Sequence, residues 1–545
     1  MQTQSGKDNT KALKGSSMKS WVHAVLFAVY PVLLLYSFNM HEVSAVEVLT
    51  PALFLGGLTG LVLAVARLFS IHQKISVVLS VFWFLFLCYG YIYEALHLPR
   101  HIYGWVLCGG LLSSTILYAF FSGKYLERIG AALSSLGGVL ILMTLINIGY
   151  NLATKDIYTG EKIERPADYA LERPMADPDQ RDIYYLIFDR YASEDNLEKY
   201  YDYNNTEFTK DLEEKGFYVA PHSYANYPKT IHSISSSLNM TYLTPLANTM
   251  GTTSNDWGPL FRMVEDHEVW RFLRSKGYQY HHMGSFSKES EYNTLADVNV
   301  TYNAFPLMGF YTSQEFLTVL YKTTMLFPIG MKFALESYNF DKMHWQRVSY
   351  KFDELEKIAA LPKPTFVYAH FLIPHPPYVF AEDGAFKIHA REEAPYMYVE
   401  RYDAEAYKEQ VTFVNTKIRA FVEHVLNVSS RPPIIIIQSD EGPWPERYPP
   451  IYRAFNWREA TDEELDEKSG ILNAYYLPDI EPGVLYPSIS PVNTFRVIFN
   501  QYFNTTFNLL PDETYAYRDE DHPYDLFDIT NRLPHNQAQI PAETD

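Results

Sequence analysis

The pattern of apolar positions along the 545-residue chain changes character near residue 150. Before that point, long runs of Leu, Val, Phe and Ala are broken only by short charged stretches. A helix needs ~20 apolar residues to cross the hydrocarbon core of a bilayer. Five runs approach that length: Trp21–Phe38, Val48–Leu68, Ser76–Tyr93, Ile102–Phe121 and Ile129–Tyr150. They predict about five transmembrane helices in residues 1–150. The first run is too long for the apolar part of a signal peptide and is followed by more spans, so it reads as retained. His23, near the end of that run, is expected at the membrane interface.

The charges between the runs orient the bundle. Lys7, Lys11, Lys14 and Lys19 precede the first run, Glu42 and Glu47 follow it, Arg67 and Lys74 follow the second, and Lys124 and Arg128 follow the fourth. Basic residues collect on the cytoplasmic side, which places the N-terminus there. An odd number of spans then delivers residue 151 onward outside the plasma (inner) membrane, as one extracytoplasmic domain on a multi-pass anchor.

Residues 151–180 carry many charges and Pro166, Pro174 and Pro178, and read as a linker with a short helix near Ala167–Leu171. From residue 181 to 530, short β-rich runs alternate with amphipathic stretches. Ile183–Phe188, Phe366–His370, Ile434–Gln438 and Leu472–Leu477 fit central parallel strands covered on both faces. Phe208–Lys215, Trp270–Lys276, Arg347–Ala360 and Val411–Leu426 are helix candidates. The alternation predicts an α/β domain with a mainly parallel, doubly wound sheet. Residues 531–545 form a polar tail.

The formal net charge of -19 argues against nucleic acid as a partner. Both cysteines, Cys88 and Cys108, lie in the apolar runs, so the extracytoplasmic domain has neither a disulfide nor a thiolate metal site.

Three of the strand-like runs end in metal-competent residues: Asp189 after the first, His370 closing the second with His375 soon after, and Asp440 with Glu441 after the third. Ligands of open α/β sheets bind outside the carboxyl ends of the strands, so these residues would meet at one edge. Carboxylate and imidazole together suit a divalent cation: Mn²⁺, Zn²⁺ or Mg²⁺. Each acid also has a plainer reading as a turn or capping residue. A fourth element, Tyr227–Leu243, opens a helix near Thr230, with Ile231, Ile234 and Leu238 at helical spacing. Thr230 is either an N-cap or a nucleophile activated by the helix dipole and a cation.

The segments DIYYLIFDRYAS (Asp182–Ser193), NYPKTIHSISSSLN (Asn226–Asn239), FVYAHFLIPHPPYVF (Phe366–Phe380) and IIIIQSDEGP (Ile434–Pro443) resemble, in order, the motifs of the alkaline phosphatase/sulfatase superfamily. The closest likeness is to its membrane-anchored, lipoteichoic-acid-synthase-like branch. The resemblance implies an alkaline-phosphatase-like fold and one divalent cation held by Asp189, Thr230, Asp440 and Glu441. It implies Thr230 as a covalent nucleophile, with His375 or His370 assisting the departing oxygen. Two departures stand out. Glu441 takes the place of the family's usual His, and Arg190 follows Asp189 where a small residue is more usual. Arg190 would either clamp an oxygen of the substrate or pair with an acid, and Tyr378 is a further candidate for substrate contact.

The implied activity is a metal-dependent phosphoryl-type transfer to or from a lipid-linked or envelope glycan or teichoic-acid-like polymer, close to membrane lipid. Two alternatives stay open: a phosphate or sulfate ester hydrolase of the same fold, and an inactive binding subunit of an envelope complex, which Glu441 would mark.

Overall fold

The computed structural model describes residues 21–38, 45–96, 98, 100–122, 125–155, 180–285, 292–302, 314–329, 340–359, 361, 364–387, 403–447 and 455–537. The short helix expected near Ala167–Leu171 lies outside them. The described residues form two compact units. The first holds those up to Lys155 together with 314–329 and Phe340; the second holds the others.

The first unit is helical: α1 (Val22–Phe38), α2 (Ala45–Leu68), α3 (His72–Leu87), α4 (His101–Leu117) and α5 (Leu126–Lys155). Val48–Leu68, His101–Phe121 and Leu126–Tyr150 are long and apolar enough to cross a membrane, while Val22–Phe38 and His72–Leu87 are apolar but shorter. The expected run Ser76–Tyr93 breaks at Cys88, and a separate short helix, Tyr89–Ala95, follows. Helix α1 packs against α2, α3 and α5. Leu53, Phe54, Leu61, Leu142 and Met143 stay exposed, which suits helices whose outer face meets lipid. His23 departs from expectation: it is buried, and its Nδ1 lies 2.6 Å from Ser80 Oγ. An interhelical hydrogen bond satisfies the ring inside an apolar bundle. The helix Gln314–Lys322 also belongs here, with Phe316 and Leu320 packed against Val32 and Leu35 of α1.

The second unit is built on a seven-stranded sheet of order β2-β7-β6-β1-β5-β3-β4. In chain order the strands are β1 (Ile183–Phe188), β2 (Tyr218–Val219), β3 (Gln279–Met283), β4 (Val298–Asn299), β5 (Thr365–Phe371), β6 (Ile434–Gln438) and β7 (Asn473–Tyr476). Strands β6, β1, β5, β3 and β4 run parallel. β7, expected as a parallel strand, pairs antiparallel with β6 and β2. A small hairpin, β8 (Tyr515–Tyr517) with β9 (Leu526–Asp528), stands apart. The helices used below are α6 (Glu194–Tyr201), α7 (Thr230–Asn239), α8 (Phe340–Ile358), α9 (Ala404–Val428), α10 (Asp462–Ser469), α11 (Pro491–Phe503) and α12 (Pro534–Gln537).

Successive residues of a strand point to opposite faces, and here both faces are covered. Tyr184, Leu186 and Phe188 of β1 pack with Val367, Ala369 and Phe371 of β5 under α8 and α9. Ile183, Tyr185 and Ile187 pack with Phe366 and Tyr368 under α7 and α11. Two-sided burial is why these strands read as continuous apolar runs rather than alternating ones.

Candidate metal centre

The registers of three adjacent strands build the site. Ile187 of β1 faces His370 on one side and Gln438 on the other. The carboxyl ends of β1, β5 and β6 are therefore level. Asp189 follows β1 directly, Asp440 follows β6 after Ser439, and His370 is the penultimate residue of β5. The backbone fixes these ends: Asp189 N donates to Phe371 O at 3.0 Å, and Ser439 N donates to Leu472 O at 2.9 Å.

Asp189, His370 and Asp440 are all buried, and each offers a ligand atom within 4.8 Å of the others. His370 Nε2 lies 3.4 Å from Asp189 Oδ2 and 3.9 Å from Asp440 Oδ2. Both carboxylates and both nitrogens of His370 find no hydrogen-bond partner among the described residues. Buried polar groups normally have partners, so three buried residues with unpartnered ligand atoms, one from each within 4.8 Å of the others, fit a divalent cation. Two carboxylates with an imidazole suit Zn²⁺ or Mn²⁺, and a carboxylate-rich wall also admits Mg²⁺.

The electrostatics agree. Burial, then the neighbouring Asp189 and Glu441, holds the Asp440 carboxyl well above the usual carboxylate range, against the opposing pull of Thr230 and Lys468. Burial also acts to raise Asp189, but His375, His370 and Arg190 outweigh it and hold that carboxyl below the usual range. Two buried acids side by side divide their charge unequally, and a cation between them would let both ionise.

Thr230 opens α7. Lys229, extended at φ -144°, stands at the N-cap without a side-chain cap, so Thr230 is the first helical residue and not the capping one. It is partly exposed, at the positive end of the helix dipole, and its hydroxyl acts on the Asp440 carboxyl. Ser233, Ser235, Ser236 and Ser237 behind it are buried. His375 is tied to the same edge: its backbone N donates to Asp189 O at 3.1 Å, and Gln410 Nε2 donates to Pro374 O and His375 O at 3.0 and 3.3 Å. Its Nδ1 is turned to the Pro376 carbonyl. Tyr378 lies farther along, half-buried against the core, its ring 6.4 Å from that of Tyr407.

Glu441, expected as a ligand, is held through one carboxylate oxygen, while its buried Oε2 has no hydrogen-bond partner among the described residues. Its Oε1 lies 2.8 Å from Lys468 Nζ and 3.3 Å from Arg190 Nε. His370 stands beside the two aspartates. The same two cations flank the Trp444 ring, Lys468 Nζ at 4.1 Å and the Arg190 guanidinium at 4.7 Å from its centroid. Arg190 thus makes the ion pair that was one of its two expected roles. Lys468 is fully buried, and burial pulls its ammonium down to about 8 against the support of Glu441. Sequence reasoning missed Lys468, because the stretch DEELDEKS reads as a solvated helix. It also missed Lys351, buried on α8, which donates to His370 O at 2.9 Å and to Gly284 O.

A family model described as Sulfatase matches residues 185–478, more than half of the chain. No curated protein matches it. Among solved structures, it is similar to the C-terminal periplasmic domain of EcEptC from Escherichia coli in complex with Zn (10% identity, TM-score 0.39, covering 68% of this chain and 98% of that one). It is similar to the integral membrane lipooligosaccharide phosphoethanolamine transferase A (EptA) from Neisseria meningitidis (13% identity, TM-score 0.37, 93% and 95%). It is also similar to the putative sulfatase yidJ from Bacteroides fragilis (13% identity, TM-score 0.37, 66% and 91%).

Proposed function

Because this chain belongs to the sulfatase family, we propose that it is a membrane-anchored, metal-dependent enzyme that moves a phosphoryl-type group between a lipid-linked donor and an envelope glycan or teichoic-acid-like acceptor. The observation that carries this reading is the meeting of Asp189, His370 and Asp440 at the carboxyl edge of three adjacent strands, beside the partly exposed start of α7. These three residues, with Thr230 next to them, would hold one divalent cation: Zn²⁺, Mn²⁺ or Mg²⁺. When bound, it supplies positive charge to the oxygens of the transferred group and lowers the pKa of the Thr230 hydroxyl.

Thr230 makes the new bond. Its Oγ attacks phosphorus, the P–O bond to the donor breaks, and the hydroxyl proton passes to solvent at this partly exposed position. His375 gives a proton from Nε2 to the departing oxygen. An acceptor hydroxyl then attacks the phospho-threonine and returns a proton to His375, while the freed Thr230 regains one from solvent. Arg190 acts on Asp189, Lys468 acts on Asp440, and Lys351 is bonded to the His370 carbonyl, which offsets the acids and favours an anionic substrate. Five spans with a cytoplasmic N-terminus would hold the site outside the inner membrane, next to lipid donors, and raise their effective concentration.

The test is mass spectrometry of the Thr230 peptide after incubation with a labelled anionic phospholipid, with and without a glycan acceptor. A phosphoryl-type adduct on Thr230, absent from Thr230→Ala, with acceptor-dependent product supports transfer. An adduct consumed by water alone indicates the hydrolase. Full turnover in Thr230→Ala sinks the covalent mechanism, and neither adduct nor bound metal indicates a binding subunit.

A further inference from the structure

A second group of metal-competent side chains lies in the same unit, built from segments that contribute none of the ligands above. Asp195 sits in the first turn of α6, His222 in the loop after β2, and His535 on α12. Their ligand atoms all lie within 4.8 Å of one another. His535 Nε2 is 3.2 Å from Asp195 Oδ2, and His222 Nδ1 is 3.9 Å from the same oxygen. The two imidazoles are stacked, with ring centroids 3.9 Å apart and planes 22° from parallel. His222 Nδ1 is shielded from water and makes no hydrogen bond.

Each segment is held independently of the cluster. Ser193 caps α6 by accepting from Asn196 N. His222 N donates to Pro487 O at 3.0 Å, and Ser223 Oγ donates to Ile489 O at 2.7 Å. Before His535, Leu533 is fully buried with Trp457 and Tyr517, and Arg532 Nε bonds Asp462 Oδ1 at 2.7 Å. Three ligand atoms on three anchored segments thus lie within 4.8 Å of one another on partly exposed side chains.

We propose that Asp195, His222 and His535 form a second divalent-cation site, of the His₂-carboxylate class that suits Zn²⁺, which staples the C-terminal segment to the body of the domain. Two neutral imidazoles and one carboxylate are a common zinc donor set, with ligands at about 2 Å and a fourth position left to water. The side chains are 38–55% exposed, so small rotations close them on an ion arriving from solution. The staple also braces the mechanism indirectly: α6 follows Asp189, and the His222 loop leads into Thr230.

The experiment uses the full-length chain in detergent, stripped with chelator, dialysed against Zn²⁺ and analysed for metal. The variants are His222→Ala, His535→Ala and, for the other centre, Asp440→Asn. Each histidine variant is expected to lose one zinc equivalent per chain that Asp440→Asn retains. Trypsin cleavage after Arg532 is expected to slow at least several-fold when Zn²⁺ is added to the wild type and to be unchanged by Zn²⁺ in His535→Ala. The side chains are half-exposed, so both variants should fold. Equal zinc in wild type and both histidine variants would overturn the proposal, whatever Asp440→Asn does. Loss of zinc in Asp440→Asn alone would leave the first centre standing and the staple refuted.

Discussion

Lys468 Nζ lies 2.8 Å from Glu441 Oε1, and both side chains are sealed from water. Glu441 stands where the resemblance calls for histidine, and its charge is met by a buried ammonium and by Arg190. Glu441 is thus tied to two cations, while the imidazole of His370 stands beside the two aspartates. A lone charge left here is costly, whereas a neutral replacement of the whole pair is cheap.

Lys468→Met is expected to lower stability by about 3–5 kcal/mol, because Glu441 loses its closest countercharge. The double variant Lys468→Met/Glu441→Gln should recover most of that loss. Denaturant midpoints of the two variants give the comparison. Equal losses would mean that the pair is not coupled.

Glu467, the neighbour of Lys468, is mostly buried, and burial raises its carboxyl from 4.5 to about 7 against the donated hydrogen bond from Tyr201 Oη. A carboxyl whose folded pKa is raised contributes stability that is full below about 4.5 and is lost as pH climbs through 7. Glu467→Gln keeps an acceptor for Tyr201 and removes that loss. It should be more stable than wild type at pH 8 by on the order of 2 kcal/mol and no more stable at pH 4. Melting temperatures across this range check the sign.

His375→Gln is expected to slow transfer from a donor with a poor leaving group by roughly 10²–10⁴-fold. With an activated aryl ester, whose leaving oxygen needs no proton, the variant should approach wild-type rates. A uniform loss on both substrates would assign His375 to positioning rather than proton transfer.

Gly442 follows the Asp440–Glu441 pair and runs against α10. A Cβ there would meet Glu467 O at 2.4 Å and Lys468 O at 2.7 Å, both backbone atoms that cannot swing away. Gly442→Ala is therefore expected to cost about 1–3 kcal/mol or more and to displace Glu441 from Lys468. Thermal unfolding and metal content of the variant measure the two effects.

Much of the sheet was legible along the chain, because strands buried on both faces are written as unbroken apolar runs that stop at a polar residue. Ile183–Phe188 and Ile434–Gln438 appear with those bounds, and Phe366–His370 widens by one residue at each end. β3, Gln279–Met283, was missed because its two histidines and Gln279 break the run, although Tyr280 and Met283 are fully buried. β7 was legible as a strand but not in direction, since direction depends on which edge of the sheet it reaches.

The sequence by itself determined that the chain is apolar helices followed by an α/β unit, and that Asp189, Thr230, His370 and Asp440 sit at element ends where ligands bind. The periodicity of burial and the chemistry of those ends are local properties. Only the tertiary structure decided which polar side chains face one another. The register of β1 between β5 and β6 sets His370 beside the aspartates, α10 carries Lys468 to Glu441, α12 brings His535 to Asp195, and Gln314–Lys322 joins the first unit. Each of these contacts unites residues far apart in the chain, through packing that no local pattern encodes.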